Sequence, residues 1–193
     1  MAGVATAWTA DLLTGRQAAT RATAPDATLY DRIGGHFTVV CAALAAAPDL
    51  DLVFGWRWHR TYAHSIGAAL IVAAAAALIA WRRKRPVLFT SLTCGAAYAT
   101  HILLDWLGAD PTPPYGIMAL WPFSHGWYIS GLNLFDAVSR EYWAPRQFIL
   151  GNLLNAGWEV VVLGPVLIGL WLIRVKALAR LAPELARGHH APE

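Results

Sequence analysis

Three short polar stretches interrupt an otherwise apolar sequence, and each carries residue types that bind metal ions. They contain Asp49 and Asp51, then His59 and His64, then His101 and Asp105. Imidazole nitrogen and carboxylate oxygen together suit zinc, and also manganese or iron. Burying such groups in an apolar environment is costly unless they are paired or bound to something. The sequence therefore predicts that the three stretches meet and hold a divalent metal.

The spacing within each stretch limits how its residues can act together. His101 and Asp105 are four apart, so on a helix they project from one face and can bind one ion or adjacent ions. His59 and His64 are five apart, so we expect His59 in a loop and His64 in the first turn of the next helix. The two aspartates of the first stretch are two apart, so in extended or turn geometry both can face the site, or one can orient a ligand.

The composition places these residues in an integral membrane protein. Of 193 residues, 57% are apolar and 14% are charged, whereas a typical soluble chain is about 25% charged. The mean hydropathy is +0.43. Ten tryptophans and six tyrosines suit an aromatic belt at the membrane interface. The net charge is +3, but the basic residues cluster at the ends of apolar runs, which argues against a nucleic-acid partner.

Four apolar segments predict an all-α, polytopic transmembrane bundle of about four spans. A span needs about 20 apolar residues, and the candidates are residues 33–54, 62–81, 87–107 and 152–173.

The segments also predict how the chain is divided. Residues 1–32 are expected to form a polar, partly helical N-terminal segment, with a loop from residue 15. Residues 33–174 form the transmembrane domain, and residues 175–193 form a cytoplasmic tail. The Pro- and aromatic-rich stretch 108–150 is expected to be an outer loop, with parts re-entrant or at the interface.

The basic residues predict the orientation. Eleven of the 15 lysines and arginines fall in the N-terminal region, the hairpin 82–85 and the C-terminal tail, which the positive-inside rule assigns to the cytoplasm. Both termini then lie inside. Because the spans alternate in direction, all three polar stretches fall at the outer face of the cytoplasmic membrane. Because span direction assigns all three stretches to the same face, it favours a single site.

Two residues outside the three stretches are further candidates. Glu159 is a carboxylate inside the last span, preceded on the same helix by two asparagines, and is a candidate metal ligand. Pairing with Arg60 or Arg146 would also satisfy it. His125 lies in the outer loop and is a weaker candidate.

Structural explanations compete with each assignment. His64 could hydrogen-bond a neighbouring helix, and His101 and Asp105 could pair with each other. The aspartates of the first stretch could pair with Arg57 or Arg60. Taken together, six ionisable residues at one membrane face favour a functional site.

The order and spacing of the motifs resemble a known family over residues 38–125. The motifs are Pro48-Asp49-Leu50-Asp51, His59-Arg60-x-x-x-His64-Ser65, His101-x-x-x-Asp105 and Leu120-Trp121-Pro122. They are similar to those of the YdjM-type membrane-bound metal-dependent hydrolases of bacteria and archaea. That family is placed by similarity near the zinc-dependent phospholipases C. The resemblance implies ligands at Asp49 or Asp51, His64, His101 and Asp105. It also implies site roles for His59 and Arg60, with the guanidinium suited to holding a phosphate.

The chain departs from the family pattern in two places. The signature usually reads His-Arg-Gly-x-Thr-His-Ser, so Thr61 and Ala63 replace its glycine and threonine. We expect the first change to alter the loop and the second to remove a hydroxyl from the site. The family also usually carries a Gly-His or similar pair in its first helix. None occurs here, and a start assigned too far downstream would account for that.

The sequence thus predicts a hydrolase that lies in the lipid bilayer. It would use a divalent metal, zinc or alternatively manganese. The expected substrate is a phosphoester such as a lipid headgroup, attacked by a metal-activated water. His59 and Arg60 are the expected catalytic residues, and Arg60 would stabilise charge on the phosphoryl oxygens. Two alternatives are a non-catalytic metal-binding or metal-moving protein, and a structural or partner-binding membrane protein whose polar clusters are inter-helix pairs.

Overall fold

The computed structural model of the chain describes residues 1–14, 27–55, 57–138 and 143–188. Within these ranges the protein is all helical, with no strand. The α-helices are α1 (Ala2–Thr14), α2 (Leu29–Arg32), α3 (Gly35–Ala46), α4 (Ile66–Arg82), α5 (Val87–Leu107) and α6 (Pro145–Gly188). Two 3₁₀ helices, Ala47–Phe54 and Tyr62–His64, lie between α3 and α4.

Three helical segments are long and apolar enough to cross a membrane. They are Gly35–Phe54, Val87–Leu107 and Pro145–Ala177. The third predicted span coincides with α5. The first is divided at Ala46, because Pro48 enters the first turn of the 3₁₀ helix and has no N–H to continue an α-helical ladder.

The second predicted span is shorter than expected, since α4 has 17 residues and begins at Ile66. Ser65 is extended, and its hydroxyl accepts a hydrogen bond from the N–H of Ala68 at 3.1 Å. This N-cap starts the helix, and His64 stays in the 3₁₀ turn before it. The expectation that His64 lies in the first α-helical turn is therefore wrong by two residues.

The last helix is longer than the predicted span at both ends. α6 begins at Pro145, and the helix continues through residue 175, where a tail was predicted, to Gly188. Apolar residues such as Leu153, Val161 and Ile168 are exposed along it.

α4 and α5 form a closely packed antiparallel hairpin. Gly95 lies against Ala73, where an added Cβ would come within 2.9 Å of the alanine methyl group. The Ser91 hydroxyl donates to the Ala73 carbonyl at 3.0 Å. Small residues of this kind allow close helix approach in membranes. The core beside this hairpin contains Ala69, Tyr98 and Ile102 from the two helices and Ile117 from the loop that follows.

α1 packs against α3, α5 and α6. The indole of Trp8 donates to the Ile33 carbonyl at 2.7 Å and contacts the Trp171 ring at a centroid distance of 5.1 Å. Buried Arg174 pairs with Asp11 at 3.2 Å. The N-terminal helix is therefore part of the bundle. Residues 15–26 of the predicted loop lie outside the described residues.

The connection between α5 and α6 docks on the start of α4. The N–H groups of Ile66 and Gly67 donate to the carbonyls of Ala119 and Trp121 at 2.8 and 2.9 Å. Part of this loop thereby holds the segment that carries His64.

Candidate metal centre

The structure brings the three polar stretches together at one end of the bundle. His101 and Asp105 occupy the last two turns of α5. The two aspartates come from the first 3₁₀ helix, and the two other histidines come from the turn and 3₁₀ segment that lead into α4. The contacts below confirm that these six side chains meet.

His64 lies at the middle of the cluster and is fully buried. Its Nε2 atom lies 3.3 Å from Oδ2 of Asp105 and 3.7 Å from Oδ1 of Asp49. Its Nδ1 atom lies 3.1 Å from Oδ2 of Asp51. The imidazole therefore faces a carboxylate on both sides.

His101 is oriented by the backbone of α3. Its Nδ1 atom lies 2.8 Å from the carbonyl oxygen of Ala45, so Nδ1 must donate a proton. In the neutral ring the lone pair is then on Nε2, which lies 3.3 Å from Oδ1 of Asp49 and 3.6 Å from Oδ2 of Asp105. Metal-binding histidines are commonly oriented in this way. His59 resembles it, with Nδ1 2.9 Å from Oδ1 of Asp51.

Several cluster atoms lie within ion-pair distance of one another but without hydrogen-bond geometry. Oδ2 of Asp51, both ring nitrogens of His64, Nε2 of His101 and Oδ2 of Asp105 are buried without a hydrogen-bond partner among the described residues. Buried polar atoms are normally satisfied. Ligand atoms that point towards a common centre rather than at one another have this arrangement. The donor set therefore fits a divalent cation.

Two overlapping groups could each hold an ion. One contains Asp49, His59 and His64, the other contains His64, His101 and Asp105, and within each group the ligand atoms lie within 4.8 Å of one another. His64 is common to both. The cluster can therefore accommodate one ion or two adjacent ions.

The electrostatics also favour a cation. Burial lowers the pKa of His59 and so favours its neutral form, which is the form that binds metal. Burial also disfavours the charged form of His64, but the carboxylates of Asp49 and Asp51 outweigh it and raise the pKa of His64 to about 9.

The Asp49 side chain is 50% exposed, whereas His64 is 0% exposed, so the cluster opens to its surroundings at Asp49.

The family comparison relates this chain to known proteins. The family model described as YdjM inner membrane protein matches residues 2–180. The chain belongs to this family. Searches of curated proteins and of solved structures found no match. The predicted resemblance to YdjM proteins is therefore confirmed, and with it the assignment to a family of inner membrane proteins.

The Arg60 of this YdjM protein is paired outside the ligand cluster. Its Nη1 atom lies 2.5 Å from Oδ2 of Asp110, a side chain that is only 3% exposed. The same oxygen accepts the N–H of Gly116 at 2.9 Å. Sequence reasoning missed Asp110, whose only signal is an acidic residue directly before Pro111 at the start of a loop. The alternative that an aspartate of the first stretch pairs with Arg60 is wrong.

The two departures from the YdjM signature lie in the turn before α4. The Thr61 hydroxyl donates to the Trp58 carbonyl. The Ala63 carbonyl accepts the Tyr98 hydroxyl at 2.8 Å. Both positions therefore hold the turn in place.

The structure does not bring Glu159 to the cluster. Glu159 is exposed on α6 and belongs to neither ligand group, and His125 is exposed in the loop. On α6, the side chain of Asn155 donates instead to the Ala137 carbonyl at 2.7 Å. Asn155 of this YdjM protein thus serves the packing of α6 against the loop.

Proposed function

We propose that this protein is a metal-dependent hydrolase of the cytoplasmic membrane that acts on a phosphoester. One observation carries the proposal. Ligand atoms from three chain segments converge at the cluster, and five of them are buried without a hydrogen-bond partner among the described residues. A mutually satisfied structural cluster would leave few such atoms. The nitrogen and oxygen donors suit zinc first and manganese second.

The chain's own residues supply the other parts of the mechanism. Asp51, His64, His101 and Asp105 would hold the metal, with Asp49 at the open edge. A bound divalent ion supplies Lewis acidity and an activated water. His59, which Asp51 orients, is suited to accepting a proton, because burial lowers its pKa and so favours the neutral imidazole.

Arg60 would stabilise charge on the phosphoryl oxygens. A guanidinium has five N–H donors, and Asp110 contacts the Nη1 end. The Nε atom is buried without a hydrogen-bond partner among the described residues. Asp110 would thus hold the guanidinium in a fixed position, with its remaining N–H donors available to a substrate that enters the site.

The proposed topology has four spans, both termini in the cytoplasm and the site at the outer face. α4 begins beside the ligand cluster and ends in the basic hairpin 82–85, so the two features lie at opposite ends of one helix. The positive-inside rule puts the hairpin in the cytoplasm. The cluster then faces outwards, where Leu50, Val53 and Phe54 are exposed beside the two aspartates. These apolar side chains would contact acyl chains, which favours a lipid as the substrate.

Metal content tests the proposal. We would measure zinc and manganese by elemental mass spectrometry in detergent-purified wild type, in His101→Ala/Asp105→Ala and in His125→Ala as a control. Stoichiometric metal in wild type and in the control, lost in the double variant, would support the site and would justify a phosphodiester screen. Absence of metal from wild type would instead favour a structural cluster. Bound metal without hydrolysis of any phosphodiester would favour a non-catalytic metal-binding protein.

A further inference from the structure

A second charged feature lies at the far end of α4 from the ligand cluster. The residues of the hairpin 82–85 are all basic and all exposed. Within the part of the chain that the structure describes, none of the four side chains takes part in an ion pair. A shallow recess beside them is lined by Trp81, Arg82, Lys84, Arg85 and Val87. This surface is cationic and has no anionic partner there.

The backbone of the hairpin is held by a defined helix cap. The N–H of Lys84 donates to the Trp81 carbonyl at 3.1 Å, and the N–H of Arg85 donates to the Ala80 carbonyl at 2.8 Å. These two bonds form a Schellman motif. The recess is therefore presented on an ordered turn.

Lys84 occupies the position of this motif that favours glycine. Its φ is +53°, in the left-handed region, where a residue with a Cβ atom is disfavoured. A glycine would cap the helix better. The cap alone therefore does not account for a lysine here. A basic residue suits the cytoplasmic end of a span, and backbone of this kind concentrates at functional positions.

We propose that the recess binds the phosphodiester headgroup of an anionic phospholipid. The guanidinium groups of Arg82 and Arg85 can bind phosphate oxygens through paired N–H donors, and Lys84 adds a point charge. Trp81 and Leu88 are 68% and 72% exposed at the adjoining helix ends. Such apolar surface suits a glycerol backbone and acyl chain, so it favours a lipid over free phosphate.

The test compares two lipids that share acyl chains. Native mass spectrometry of the full chain in detergent would follow binding of dioleoylphosphatidylglycerol and of dioleoylphosphatidylcholine. We expect wild type to prefer phosphatidylglycerol and Lys84→Gln to bind it about fivefold more weakly, the equivalent of the ~1 kcal/mol that one basic residue contributes near an anionic membrane. Lys176→Gln is the matched control, because Lys176 is the chain's other lysine and is exposed on α6. It should keep the wild-type preference.

Lys84→Gly separates binding from folding. Glycine suits the left-handed backbone, so this variant should fold at least as well as wild type and still lose about fivefold in phosphatidylglycerol binding. The proposal is overturned if wild type does not discriminate between the lipids or if Lys84→Gln and Lys176→Gln behave alike. Inorganic phosphate that displaces the lipid at equal concentration would also overturn it, in favour of a free-phosphate site. Metal content should be unchanged in every variant, so this result and that of the proposed function can fail separately.

Discussion

The Nδ1 atom of His101 lies 2.8 Å from the carbonyl oxygen of Ala45, across the contact between α5 and α3. Ala45 stands near the C-terminal end of α3, where carbonyl groups lack helical partners. The histidine satisfies one of these carbonyls, and the carbonyl sets the ring's orientation. This hydrogen bond therefore satisfies a carbonyl at the end of α3 and also orients a residue of the ligand cluster.

We predict that His64→Ala abolishes stoichiometric metal binding, whereas Asp49→Ala only weakens it. His64 belongs to both ligand groups, and Asp49 lies at the exposed edge. Elemental mass spectrometry after dialysis against a series of metal concentrations would measure both effects. Full retention of metal by His64→Ala would contradict the assignment of the cluster as the metal site.

We predict that Asp110→Asn destabilises the protein by about 3 kcal/mol, because it leaves the nearly buried Arg60 guanidinium without its carboxylate. The double variant Arg60→Gln/Asp110→Asn should lose less than the sum of the single changes. Thermal unfolding in detergent, followed by circular dichroism, measures the losses. Additive effects would mean that the two side chains act independently.

The limits of the regular helices follow from local sequence. The segments where the structure differs from the sequence prediction depend on tertiary contacts. Pro86 and Gly108 flank an apolar run, so the limits of α5 can be read from the chain. The apolar run alone places the start of α4 at residue 62, whereas the helix begins after the Ser65 cap because His64 stays in the cluster.

The candidate site likewise combines residues that the sequence predicts with contacts that it does not predict. Spacing and span direction were enough to bring His64 together with His101 and Asp105. The partners that orient them are a backbone carbonyl at Ala45 and, for Arg60, an aspartate in an irregular loop. Neither has a local sequence signal, since a carbonyl is present at every position and a loop aspartate usually faces solvent.

We predict that Asp11→Asn destabilises the bundle by about 3 to 5 kcal/mol. Asp11 and Arg174 are 163 positions apart, and Arg174 is 1% exposed. Removing the carboxylate leaves a buried cation whose remaining partner is the Arg32 carbonyl. Arg146→Gln is the control, because Arg146 is exposed on the same helix; it should change the stability by less than about 0.5 kcal/mol. Equal melting temperatures for the two variants would exclude a stabilising role for the buried pair.

We predict that Gly67→Ala costs about 1 to 3 kcal/mol by overpacking and lowers metal content as well. A Cβ at Gly67 would come within 2.7 Å of the Trp121 carbonyl and 2.9 Å of the Pro122 ring. The loop would have to move away from α4, and the same contact holds the segment that carries His64. Gly169→Ala is the matched control, since a Cβ there meets nothing within 4 Å and alanine favours a helix. Loss of stability with full metal retention would show that the loop is not needed to position the cluster.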